Sequence, residues 1–280
     1  MGWLNKILPE RIKPISRDLG FSFNSCIYKF KTIGKFKEKD PIFLLGNQKS
    51  GTSVIASLLG ELTEQKTSID LFYSGYKYQN FKRWKQENIS TDLFVKKNIL
   101  EFSSKIIKEP HLSIFYNELN KHYSGAKFVM IIRNPFDNIR SILDRLDVLG
   151  NKKNLNSKDK EKFFHSWNLL LSNEWIKGNK KQYIEVLAER WKIICDEYLQ
   201  NKDNIILVKY EDFLQNKEKT IFDLSKKLGL EKKNSISHLL EKQFQTAGKN
   251  KKLEPIVFFG KENYDRIFKI CNKNMKELNY

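Results

Sequence analysis

The sequence is poor in the features that mark a disulfide scaffold, a metal site or a membrane span. Its three cysteines, Cys26, Cys195 and Cys271, are odd in number and far apart in a chain of 280 residues. That pattern points to reduced thiols and a cytoplasmic setting rather than a disulfide framework. The four histidines, at 111, 122, 165 and 238, form no Cys/His cluster with metal-ligand spacing, so no metal is expected. No apolar run approaches the roughly 20 residues that cross a bilayer. The start, Met1-Gly2-Trp3-Leu4-Asn5-Lys6, lacks the basic-then-apolar layout of a secretory signal, and Lys6 stands where a myristoylation start wants Ser or Thr. Arginine is scarce too: eight of the 51 basic residues, with the lysines scattered along the chain. Nucleic acid is therefore not the expected partner despite a formal charge of +18, because arginine is the residue suited to bidentate phosphate and base contacts. The charge reads instead as a solvated cationic surface, or as a field that steers an anionic donor or acceptor.

What is present is enough for a packed core: 40% hydrophobic residues, including twenty phenylalanines. With no internal repeat and no clean linker, the length predicts one domain over residues 41–280. Residues 1–40 form a basic lead-in that packs on that domain or lies on a membrane surface. Short apolar runs at 41–45, 105–108, 127–132 and 204–208 read as strands. Helical spacing follows several of them, in Val54–Leu62, Ile139–Leu146, 163–200 and Thr220–Leu228. Strands alternating with helices pair in parallel, because parallel neighbours need long crossovers. The expected architecture is α/β, a central parallel sheet flanked by helices in three layers. Residues 63–100, with Tyr73, Tyr76, Tyr78, Phe81 and Trp84, are expected to hold loops and short helices. Residues 150–162 are expected to form a surface loop or a mobile lid.

The first strand runs into Gly46-Asn47-Gln48-Lys49-Ser50-Gly51-Thr52-Ser53 and then into a helix. Glycines allow a tight turn whose N–H groups share one concavity, and the helix start adds unpaired donors and partial positive charge. This is an anion site, most naturally a phosphate site. ATP- and GTP-hydrolysing loops place lysine directly after the second glycine; here Thr52 stands there and the lysine is Lys49. The best strand ends in Arg133 rather than in an aspartate that would hold magnesium.

Lys49-Ser50-Gly51-Thr52-Ser53 resembles the 5′-phosphosulfate loop of sulfotransferases that use 3′-phosphoadenosine 5′-phosphosulfate (PAPS). About 84 residues on, Arg133-Asn134-Pro135 opens a stretch reaching Ser141. It resembles the 3′-phosphate motif of the same family, an arginine at a strand end and a serine eight residues later. Ile206–Leu214 is similar to the family's late strand and Tyr-Glu-Asp turn, which implies an adenine contact for Tyr210. Gly248–Lys252 resembles a basic loop that closes on the 3′-phosphate. The resemblance, to the bacterial-type branch, spans about residues 42–252 and implies a P-loop-like fold. The implied co-substrate is PAPS, without a metal.

It also implies a set of site residues. Gly46, Gln48, Lys49, Ser50, Gly51, Thr52, Ser53, Arg133, Ser141 and Tyr210 would hold the nucleotide. Lys49 would meet the bridging oxygen of the leaving phosphate, and Lys108 would lie near the sulfuryl group. For the general base, cytosolic members use a histidine two residues after the lysine matched by Lys108. Pro110 occupies that position and His111 follows it. Other branches use a carboxylate between the loop helix and the next strand, where Asp70 is preferred to Glu61 and Glu64. The acceptor is a carbohydrate, lipid alcohol, phenol or tyrosine peptide. A P-loop nucleotide kinase and a non-catalytic basic module that binds nucleic acid or anionic membrane are the competing readings.

Overall fold

The computed structural model describes residues 31–76, 79–86, 88–161, 163, 167–171, 182–242, 248–250 and 252–280. Residues 1–30 of the basic lead-in, with Cys26, and also Tyr78 and His165 therefore lie outside the described residues.

Five parallel strands form the centre: β1 (Ile42–Gly46), β2 (Thr67–Ile69), β3 (Ile106–Lys108), β4 (Lys127–Ile132) and β5 (Ile205–Lys209). Their order across the sheet is β2-β3-β1-β4-β5. β1, β3 and β4 have the apolar content of strands buried on both faces. The principal helices are α1 (Thr52–Thr63), α2 (Pro135–Leu146), α3 (Tyr183–Gln200), α4 (Lys217–Lys227) and α5 (Pro255–Glu277). Period-two alternation sorts the strand side chains between two cores. Phe43, Leu45, Phe128, Met130 and Ile132 join one core with α2, α3 and α5. Ile42, Leu44, Val129 and Ile131 join the other with α1 and α4. Three layers follow directly from that sorting.

The edge strand β2 was not expected: three residues within a polar, aromatic stretch carry too little periodic signal to stand out. Its pairing comes from β3, with Ile69 opposite Lys108. The segment after α2 is also more fastened than a mobile lid. Tyr183 Oη donates to the Gly150 and Lys152 carbonyl oxygens, Asn263 Nδ2 bonds the same two carbonyls, and Lys152 pairs with buried Asp159 at 2.7 Å. At the other end of the sheet, Glu38 N–H donates to the Phe102 carbonyl at 2.7 Å.

Candidate active site

All strands run the same way, so β1, β3, β4 and β5 deliver their C-terminal ends to one edge. In doubly wound sheets that edge is where ligands bind. Gly46 stands opposite Ile131, Leu44 opposite Lys108, and Ile132 opposite Lys209. Lys108, Arg133 and Tyr210 thus emerge beside the loop that begins at Gly46.

The loop's shape is set by three positive-φ positions, Gly46 (φ 143°), Lys49 and Gly51, and by a buried polar floor. Lys49 has φ 65° and Gly51 φ 89°. A side chain at Gly51 would run into the Tyr210 ring, and one at Gly46 into the Ile131 carbonyl oxygen. Beneath the turn, Asn138 Nδ2 donates to the Gln48 carbonyl at 2.8 Å and to Ser50 Oγ at 2.9 Å. Its Oδ1 accepts from Asn47 Nδ2 at 2.8 Å. Arg190 Nε reaches Asn47 Oδ1 at 3.1 Å and Gln48 Oε1 at 3.3 Å. Ser113 Oγ accepts from Gly46 N–H and donates to the Gly46 carbonyl. Asn47, Ser50, Asn138, Arg190 and Ser113 are all buried, and each buried polar group so satisfied stiffens the turn. The sequence reading missed Asn47, Asn138, Arg190 and Ser113. Only Asn47, inside the Gly46–Ser53 loop, and Asn138, inside the Arg133–Ser141 stretch, carried any local signal.

The loop leads into α1, whose first turn holds no acidic residue and whose N-cap, Gly51, supplies no side-chain cap. The positive end of the helix dipole at this turn suits an anion. The second predicted motif converges on the same place. Arg133 Nη1 donates to the Lys49 carbonyl at 3.0 Å, and its guanidinium lies 4.9 Å from the centre of the Tyr210 ring. Arg133 is itself held at the strand end, its carbonyl accepting from Trp191 Nε1 at 2.8 Å. The turn after it is clamped by Glu211, whose carboxylate accepts from Asn134 N–H and from the Tyr280 hydroxyl. Asn134 then caps α2 through the Phe136 N–H, with Pro135 in the first turn. Asp137 pairs with Arg140, which also donates to the Leu253 carbonyl, so it is not the partner of Arg133. Ser141 is half-buried on α2, one turn before Arg145.

Lys49 lies where positive charge accumulates. Burial first, then Arg145, Arg133 and Lys108, pull its pKa below the usual lysine value, with Asp144 opposing. Arg145 was not anticipated; it follows Ser141 by four residues, on the same face of α2. Asn250 bonds Asp144 through its N–H and Nδ2, which sets the described part of the 248–252 stretch against that helix.

Across the loop, Lys108 Nζ meets Asp70 Oδ1 at 2.5 Å, the lysine side chain 4% exposed and the aspartate 58%. Asp70 has φ 63°, a left-handed conformation that costs energy without glycine. Its N–H bonds the Lys108 carbonyl, and buried Glu109 accepts from the N–H groups of Leu71 and His111. Burial first, then Asp70, push Glu109 up to about 7. His111 is placed differently from a base that faces an acceptor. It is buried under the loop against Phe81, 3.2 Å from Gln48 Nε2, and burial, Arg190 and Lys108 depress its pKa well below the ordinary histidine value. Glu61 and Glu64 sit at the far end of α1, about 15 Å from the loop at the usual rise per residue.

Among the described residues no group of three or more His, Cys, Asp or Glu is placed to hold a metal ion. None of their helices is long and apolar enough to cross a membrane. In comparisons with known proteins, the sulfotransferase domain profile matches residues 39–276. No curated protein sequence matches the chain. Among solved structures, sulfotransferase STF9 from Mycobacterium avium superposes with a TM-score of 0.55 and 10% identity, covering 88% of this chain and 78% of that one. Mouse sulfotransferase SULT7A1, complexed with PAP, gives 0.47 and 15% over 86% of each chain. A sulfotransferase from Alicyclobacillus acidocaldarius gives 0.45 and 14%, covering 87% of this chain and all of that one (100%).

Proposed function

The chain belongs to the sulfotransferase domain family, and on that premise we propose that it moves a sulfuryl group from PAPS to a hydroxyl or amine of its acceptor. One observation carries the donor assignment: Lys49, Arg133 and Tyr210 converge on a single strand edge, with Arg145 and Lys108 adding charge. Two cationic cradles at one edge fit a nucleotide phosphorylated at both ends of its ribose. The donor set suits it as well: uncapped helix amides, an ammonium and a fork-shaped guanidinium are the groups that bind phosphate best.

In this reading Ser50, Gly51, Thr52 and Ser53 supply N–H and hydroxyl donors to the 5′-phosphosulfate, Arg133 and Ser141 hold the 3′-phosphate, and Tyr210 contacts the base. When bound, PAPS supplies the sulfuryl group and a phosphate leaving group. Lys49 supplies positive charge where negative charge accumulates on that phosphate, as preorganised cations do in related displacements. Lys108 orients Asp70, and the Asp70 carboxylate, the more exposed partner, accepts the acceptor's proton as the new O–S or N–S bond forms. Burial of His111 beneath the loop favours Asp70 for that role.

The test is direct. Purified protein is titrated with 3′-phosphoadenosine 5′-phosphate by calorimetry, then incubated with labelled PAPS and a panel of sugars, lipid alcohols, phenols and tyrosine peptides. Lys49→Ala and Arg133→Ala serve as controls, each expected to weaken nucleotide binding by at least about tenfold. Wild-type protein that neither binds the nucleotide nor transfers label sinks the reading. Magnesium-dependent ATP consumption would point to a kinase instead.

A further inference from the structure

Five consecutive apolar residues, Pro255–Phe259, open α5, and the core uses only some of them. Phe258 and Phe259 are buried, whereas Ile256 is 42% and Val257 64% exposed. Leu253, just upstream, and Leu149, just past α2, are exposed as well. The two segments touch: a Cβ at Gly150 would lie 2.9 Å from the Phe258 carbonyl oxygen, and Arg140 of α2 donates to the Leu253 carbonyl. Leu149, Leu253, Ile256 and Val257 therefore gather at one place, on the end of α2 that carries Arg145. Exposed apolar side chains brought together in this way mark an interaction surface.

The rim indicates the partner. Lys153, Lys249 and Lys252 are exposed around the apolar centre, Lys249 reaching toward Asp147 at 3.6 Å. Lys158 and Lys160 are exposed on the turn that Asp159 fastens to Lys152. Against these five lysines stand the acidic Asp147 and Glu254. The whole chain carries +18. A second copy would bring the same positive charge to the contact, which disfavours self-association through this face. An anionic bilayer surface fits both features, taking apolar side chains at the headgroup boundary and attracting lysines around them. We infer that this face docks the protein on anionic lipid. The inference goes beyond sulfuryl transfer and does not depend on it.

Co-sedimentation of the full chain with vesicles tests it, using phosphatidylcholine alone and phosphatidylcholine mixed with phosphatidylglycerol. Binding to the mixed vesicles only, weakened by salt, is expected. The double variant Leu149→Ser/Val257→Ser should lose at least about tenfold in vesicle binding. Lys153→Glu/Lys158→Glu should lose binding too, while nucleotide affinity and melting temperature stay near wild type in both. Wild type that stays in the supernatant overturns the proposal. So does a serine variant that sediments like wild type, since attachment would then lie elsewhere. A wild-type dimer in gel filtration that the serine variant turns into a monomer also overturns it, assigning the face to a second copy.

Discussion

The two sides of the strand edge are built on different physics. Under the loop, Asn47, Gln48, Ser50, Asn138 and Arg190 form a buried, mutually bonded floor that leaves the turn one shape. Across from it, the Lys108–Asp70 pair reaches the surface through Asp70, which is mostly exposed and has a strained backbone. On the proposed reading, the nucleotide side is preorganised by many small interactions beneath the loop, whereas the acceptor side relies on few groups. Substitutions on the two sides should therefore fail in different ways: stability and binding together on the first, turnover alone on the second.

The largest expected effect is on the open side. Asp70→Asn should lower kcat by about 10²–10⁴, the usual span for loss of a general base, while calorimetry finds nucleotide affinity within about twofold of wild type. A matching loss of nucleotide affinity would erase the distinction between the sides. Next comes Arg190→Met, which leaves the Asn47 and Gln48 side chains short of a donor and removes the cation near Glu109. Breaking a buried charged network in this way costs about 3–5 kcal/mol. Denaturant melts should show that loss, and nucleotide affinity should fall with it. Smaller again is Gly51→Ala, where a methyl group would collide with Tyr210 at a left-handed backbone position. About 1–3 kcal/mol is expected, read as weaker nucleotide binding with a milder loss of melting temperature.

The same contrast explains what the sequence made legible. The three-layer α/β fold could be read because β1, β4 and β5 are uninterrupted apolar runs followed by helical spacing. The convergence of Lys49 and Arg133 could be anticipated because each belongs to a short motif with a fixed place at a strand end. Arg190 could not: it lies on α3, 142 residues from Gln48, in a helix whose pattern is that of any packed helix. Glu211 and Tyr280 meet across 69 residues to hold the turn after Arg133, and nothing local marks either. His111 shows the same limit from the other side: whether a histidine faces the surface or lies beneath the loop is decided by tertiary packing. Local motifs disclose the groups that face a ligand, whereas groups that support them are disclosed only by packing.

Glu109 gives the finest test of where the two sides meet, because Asp70, Lys108, Arg190 and His111 all bear on it or its neighbours. Burial and Asp70 raise it from 4.5 to about 7, against the pull of Lys108 and of the Leu71 and His111 N–H groups. Between those values the folded protein keeps a proton that the unfolded chain has released. This group's contribution to stability is therefore full at low pH and declines as pH rises from about 4.5 to about 7. His111 works in the opposite sense. Its depressed pKa means that the unfolded chain takes up a proton first as pH falls below 6.5, so its contribution rises with pH. The two slopes partly cancel in wild type, and only a difference measurement separates them. Glu109→Gln removes the carboxyl titration and leaves His111 in place. Wild-type stability minus variant stability, from denaturant melts at a series of pH values, should decline between about 4.5 and about 7 and be flat above. A difference independent of pH would mean that Glu109 titrates alike in the folded and unfolded chain, its two N–H donors and Lys108 cancelling the effect of burial.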